Sequence, residues 1–131
     1  MLTDKERHML RRARDLADEV ERLRENLREL ELQTISSPNM DGMPHGSGAG
    51  DALARRVIRK EKIESKLRSA ERALNRSRTV GGKALRGVKA SMRMFCEAYF
   101  IGAASLEESC RYARIDERTG ERYCAIVNKD E

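Results

Sequence analysis

Three cysteines, two histidines and a set of arginines near the C-terminus are the side chains whose chemistry could define a function. Cys96, Cys110 and Cys124 are an odd number, lie among apolar helical positions, and include neither a C-x-x-C pair nor a neighbouring histidine. That pattern reads as reduced, buried thiols rather than zinc ligands or disulfides. His8 and His45 are far from the cysteines in sequence, and the carboxylates recur on charged helical faces. No glycine-rich phosphate loop follows a strand, and the glycines at 46–50 lack the lysine such a loop needs. The expectation is a chain with no catalytic residue, no metal and no cofactor, and so not an enzyme. What remains is cationic. Arg118 and Arg122 stand one helical turn apart, and a guanidinium can fork onto a guanine edge or a phosphate. Thr119 and the backbone amides beside it could hold a phosphate, Lys83, Arg86, Lys89, Arg111 and Arg114 could flank the backbone, and Glu117 and Glu121 could accept from cytosine N4.

Those residues need a scaffold. Ser105 and Glu108 form a capping box that starts a helix from Leu106 to about Ala113. Arg114 and Ile115 make a turn, and Asp116 caps a last helix running through Tyr123, Cys124 and Val127. The inward set is Leu106, Ser109, Cys110, Ala113, Ile115, Tyr123, Cys124 and Val127; Glu117, Arg118, Glu121, Arg122 and Ala125 face outward. This is a helix-turn-helix. A preceding helix carries Leu85, Val88, Met92, Phe95 and Tyr99, broadened by Cys96 and Phe100, and is expected to end at Gly102 in the left-handed conformation.

Upstream, Thr3 and Glu6 form another capping box, followed by a seam of Met9, Ala13, Leu16, Val20, Leu23, Leu27 and Leu30. The 3.5-residue average spacing is that of a coiled coil, and some thirty residues would span roughly 45 Å. The stretch "SSPNMDGMPHGSGAG" interrupts it with prolines and glycines, and Met40 and Met43 are its apolar side chains. Asp51 can cap a second helix to about Arg78, with Leu53, Val57, Ile63, Leu67, Ala70 and Leu74 apolar, and "TVGGK" at 79–83 reads as a hinge. The predicted fold class is all-α: residues 1–78 as an antiparallel hairpin (helices about 3–32 and 51–78, loop 33–50) and residues 83–131 as a three-helix helix-turn-helix module. Pairing of the same seams between chains is the rival arrangement.

Composition agrees. In 131 residues, 39% hydrophobic content with only 4% aromatics suits long helices better than one large core, and charged residues make up 37%. No run approaches the ~18–20 apolar residues of a membrane span, and the charged start has no signal-peptide core, so a cytosolic protein is expected. The net charge of +5 is uneven: residues 51–80 hold ten Lys/Arg against four Asp/Glu, whereas 81–131 hold nine against eight.

The segment "YFIGAASLEESCRYARIDERTGERYCAIVNK" resembles the C-terminal helix-turn-helix of small phage-encoded regulators, the ArpU-like and sigma-region-4-like proteins. Tyr99 to Gly102, Ser105 to Glu108, Asp116 to Thr119 and Arg122-Tyr123 occupy the positions of that family's pattern. The long helices joined by a Met-Pro-Gly loop are similar to proteins of Gram-positive phages and prophages. The resemblance implies a transcriptional regulator in the cytoplasm of a bacterial host, with the helix after Asp116 in the major groove of double-stranded DNA. It implies homo-oligomerisation through the long helices, RNA polymerase as a further partner, and, as an alternative, an assembly module contacting RNA polymerase or a small-terminase-like packaging partner. Two positions depart from the pattern: Arg114 replaces a corner glycine, and Gly120 replaces a buried aliphatic residue. The latter is expected to cost about 1 kcal/mol of helix stability and a core contact.

Overall fold

The computed structural model describes residues 2–35 and 47–129. Among the described residues the secondary structure is all helical: α1 Asp4–Ile35, α2 Ser47–Leu85, α3 Ala90–Cys96, α4 Leu106–Ala113 and α5 Glu117–Val127. A π-helical turn, Glu97–Ile101, continues α3. The linker side chains Met40, Met43 and His45 lie outside what is described, and α2 begins at Ser47, four residues before the expected cap Asp51, which therefore lies within the helix.

The capping box at the start of α1 forms as its sequence dictates. The Thr3 amide donates to Glu6 Oε1 at 2.8 Å, and the Glu6 amide donates to Thr3 Oγ1 at 3.2 Å. Packing groups residues 1–18 with 71–131 in one compact unit, and residues 19–70 in another. In the 19–70 unit, Val20, Leu23 and Leu30 of α1 and Ala70 of α2 are buried, and Glu31 meets Lys60 at 3.8 Å. Leu53 and Val57, expected on the α2 seam, are 58% and 50% exposed instead.

Two expectations fail at glycines. The "TVGGK" stretch is not a hinge: α2 runs through it to Leu85. The apolar stripe of α2 continues past Leu74 with small residues, Ser77 and Gly81, before Leu85. A Cβ on Gly81 would lie 2.8 Å from Leu10 Cδ2, so this glycine lets α1 approach instead of breaking the helix. Leu10, rather than the expected Met9, is therefore the fully buried residue at that level.

Gly102 does not end its helix in the left-handed region. Its φ of −83° is right-handed, and Ala103, at φ 54°, makes the reversal. The π-helical turn explains the exchange. The Gly102 amide bonds back five residues to Glu97 O at 2.8 Å, and a Cβ at 102 would lie 2.9 Å from Ala98 O. Glycine is needed there for clearance, and the reversal moves one residue on.

In the larger unit the core is built from Leu10, Leu85, Met92, Phe95, Cys96, Phe100, Cys110, Ala113 and Val127. Phe95 stacks on Tyr99 with ring centroids 5.4 Å apart and meets Tyr123 at 5.9 Å, while Tyr99 meets Phe100 edge-on at 4.9 Å. The Tyr123 hydroxyl pairs with Ser91 Oγ at 2.8 Å, so its buried edge stays satisfied.

A candidate nucleic-acid interface on the last helix pair

The α4–α5 corner is fixed by capping at three points. Ser105 Oγ accepts from the Glu108 amide at 3.1 Å and starts α4. At its end Arg114 adopts φ 58° and ψ 45°, the Ile115 amide donates to Cys110 O at 3.0 Å, and the Arg114 amide donates to Arg111 O at 3.3 Å. That pair of bonds is a Schellman motif. A left-handed non-glycine residue costs about 1–2 kcal/mol, which the two amide bonds and the packing of Ile115 on the core offset. Asp116 then starts α5, its Oδ1 accepting from the Thr119 amide at 2.9 Å.

Gly120 reverses the expectation attached to it. It is buried between α4 and α3, and an added Cβ would overlap Cys110 Sγ and come within 3.0 Å of Phe95 Cε1 and 3.4 Å of Leu106 Cδ1. No aliphatic contact is missing. The glycine is what allows α5 to lie this close to α4.

On the outer face, Glu117, Arg118, Glu121 and Arg122 are all exposed. Residues four apart share a column on a helix, so Arg118 and Arg122 form a basic column beside an acidic one of Glu117 and Glu121. Thr119 is half-buried and its amide is already given to Asp116. The two bonds with Thr119, side chain first and backbone second, hold the Asp116 carboxyl below its usual range. An anion at the start of α5 thus meets a carboxylate in place of that amide, and the phosphate-holding role expected of Thr119 is displaced. Arg111 is exposed and pairs with Glu107 at 2.9 Å, while Arg114 is exposed at the corner.

The cysteines do not supply chemistry. Burial pushes the Cys96 thiol up to about 12, and burial also raises Cys110 and Cys124, so all three hold their protons at neutral pH. Among the described residues, no group of three or more His, Cys, Asp or Glu could hold a metal ion, and no helix is long and apolar enough to cross a membrane.

Sequence reasoning missed Arg14. Its Nη1 donates to Tyr99 O at 2.6 Å and to Ala104 O at 2.7 Å, and its guanidinium lies 3.8 Å over the Tyr99 ring centre. Arg78 Nε donates to Ile101 O at 3.2 Å. The two arginines bond three carbonyls at the end of the π-helical turn, immediately before the cap that begins α4. Helical periodicity carries no signal for such contacts, because nothing in the spacing of Arg14 marks it off from the other arginines of α1.

Compared with protein-family models, curated proteins and solved structures, the chain matches none.

Proposed function

We propose that the chain is a DNA-binding regulator of the phage type whose α5 enters the major groove of double-stranded DNA. The observation that carries this reading is the exposed column of Arg118 and Arg122, presented by a corner locked at both ends by caps. At a pitch of 5.4 Å the two guanidiniums can reach neighbouring positions along a groove edge or a phosphate strand. Arg111 and Arg114 lie toward the flanking backbone, and Glu117 and Glu121 discriminate against phosphates while remaining able to accept from cytosine. In this reading the protein is not an enzyme, uses no cofactor and works in the cytoplasm of a bacterial host, with RNA polymerase as a further partner.

Selection from a random duplex library, repeated over a salt series, tests the proposal. An enriched motif is expected. Arg118→Ala with Arg122→Ala should weaken binding about tenfold to a hundredfold per lost base contact and reduce the salt slope by about 2. If no sequence is selected and the double variant binds as before, the reading is wrong.

A second reading is favoured by a different observation. Leu53, Val57 and Ile58 in α2, and Leu32 in α1, are each at least half exposed. Large aliphatics grouped on an exposed helix favour association, so the long helices act as an assembly element. That role supports a dimeric regulator, and it equally supports a module docking on RNA polymerase or a small-terminase-like packaging partner.

A further inference from the structure

A groove of about 640 Å³ opens in the larger unit between the end of α2, α3 and α4, with none of Arg111, Arg114, Arg118 and Arg122 in its lining. Four cations line it: Arg78, Lys83, Arg86 and Arg93. The single carboxylate there, Glu97, is 3.9 Å from Arg93 and neutralises part of one of them. Its volume lies in the ~300–1,000 Å³ range of small-ligand sites. The other notable wall is Tyr112, which is 56% exposed, whereas the remaining four aromatics of the chain pack in or against the core.

Gly82 gives an independent indication. A glycine inside a helix costs about 1 kcal/mol relative to alanine, and a packing reason normally justifies it. Gly81 has one in Leu10, but a Cβ on Gly82 would meet only Ile101 Cδ1, at an ordinary 3.8 Å. Packing therefore does not demand glycine at 82. Gly82 lines the groove, and its missing side chain leaves that part of the wall open.

We propose that this groove binds a phosphorylated nucleoside, with its phosphates on Arg78, Arg86, Arg93 and Lys83 and its base stacked on Tyr112. Three of the four cations are arginines, whose planar forks suit phosphate oxygens. Arg78 is held in place by its bond to Ile101 O, so one fork is preorganised. An exposed tyrosine ring beside a basic channel is a stacking platform for any base. An acidic peptide fits less well, because Met94 and Tyr112 are the large apolar side chains available to anchor it. The phosphate could belong to a free nucleotide or to a single strand, and the chemistry is the same. The proposal is independent of whether α5 reads duplex DNA.

The full-length chain would be titrated with fluorescent N-methylanthraniloyl-ATP and with a labelled oligothymidylate. Saturable binding of either is expected, the tighter of the two identifying the source. Arg86→Ala and Arg93→Ala should each weaken it about tenfold. Tyr112→Ala should weaken both probes but leave competition by inorganic triphosphate unchanged. Gly82→Leu should block binding, while Gly82→Ala should raise the melting temperature by about 4 °C and confirm that the helix tolerates a side chain there. Absence of saturable binding at millimolar nucleotide would overturn the proposal. So would equal loss in Arg118→Ala/Arg122→Ala, which would place the nucleotide on α5, or equally potent displacement by polyglutamate, which would make the groove a peptide site.

Discussion

Single residues decide how closely the last two helices can approach. Gly120 faces Cys110, Phe95 and Leu106 with no room for a methyl group. Gly120→Ala should therefore destabilise the protein by about 1–2 kcal/mol, an overpacking cost of ~1–3 kcal/mol less the better helix propensity of alanine. Urea unfolding measures this, and a stabilised alanine variant would refute the close contact. The thiols make a second residue-scale prediction. Cys96 is held at about 12 against 9.0 for an unburied thiol, so the folded chain binds this proton more tightly than the unfolded chain. The resulting stability is complete below pH 9 and is lost as pH rises from 9 towards 12. Stability should fall there by up to about 1.4 kcal/mol per pH unit, and Cys96→Ala should make the fall shallower. Cys110 and Cys124 are raised too and act in the same direction. An unchanged slope in the alanine variant would remove Cys96 as the cause.

At the scale of elements, the π-helical turn is the joint on which the corner depends. A π turn widens the helix, and side chains of α1 and α2 donate to the carbonyls of Tyr99 and Ile101 within it and of Ala104 just beyond it. Arg14 contributes two short bonds and a cation–π contact in a partly buried place, where bonds to a charged donor are worth about 1.5–3 kcal/mol. Arg14→Ala should cost about 3 kcal/mol in denaturant unfolding. Arg14→Lys should recover only part of it, because an ammonium cannot lie flat on the Tyr99 ring as the guanidinium does. An alanine variant within about 0.5 kcal/mol of the native protein would show that the turn holds itself.

For the whole molecule, the basic surplus lies in residues 51–80, whereas α5 carries balanced charge. Under the proposed DNA-binding reading, nonspecific attraction would fall to residues 51–80 and sequence reading to α5. Association through the long helices is the corresponding prediction. Leu53 and Val57 lie four apart on α2 and so share a column, and, being half exposed, each would gain half of the ~1.5–3 kcal/mol of a fully exposed side chain if buried. Light scattering should give a dimer mass for the native chain and a monomer mass for Leu53→Glu/Val57→Glu, with helix content retained. A native chain that is already monomeric would contradict the assembly role.

The spacing of apolar residues by itself determined that the chain is all-α, which stripes of α1, α4 and α5 turn inward, and that Arg118 and Arg122 stand outside. The caps at Thr3, Ser105 and Asp116 were equally legible, because a cap is made with a partner three residues away in sequence. What only the tertiary structure decided is the meaning of the glycines and of Arg14. "TVGGK" reads as a break until Leu10 lies across it, and Gly120 reads as a lost contact until Cys110 Sγ occupies the space. Glycine's local propensity is the same in every case. Its role is set by what packs against it, and here those partners lie from about 10 to 70 residues away in sequence, beyond the reach of any helical period.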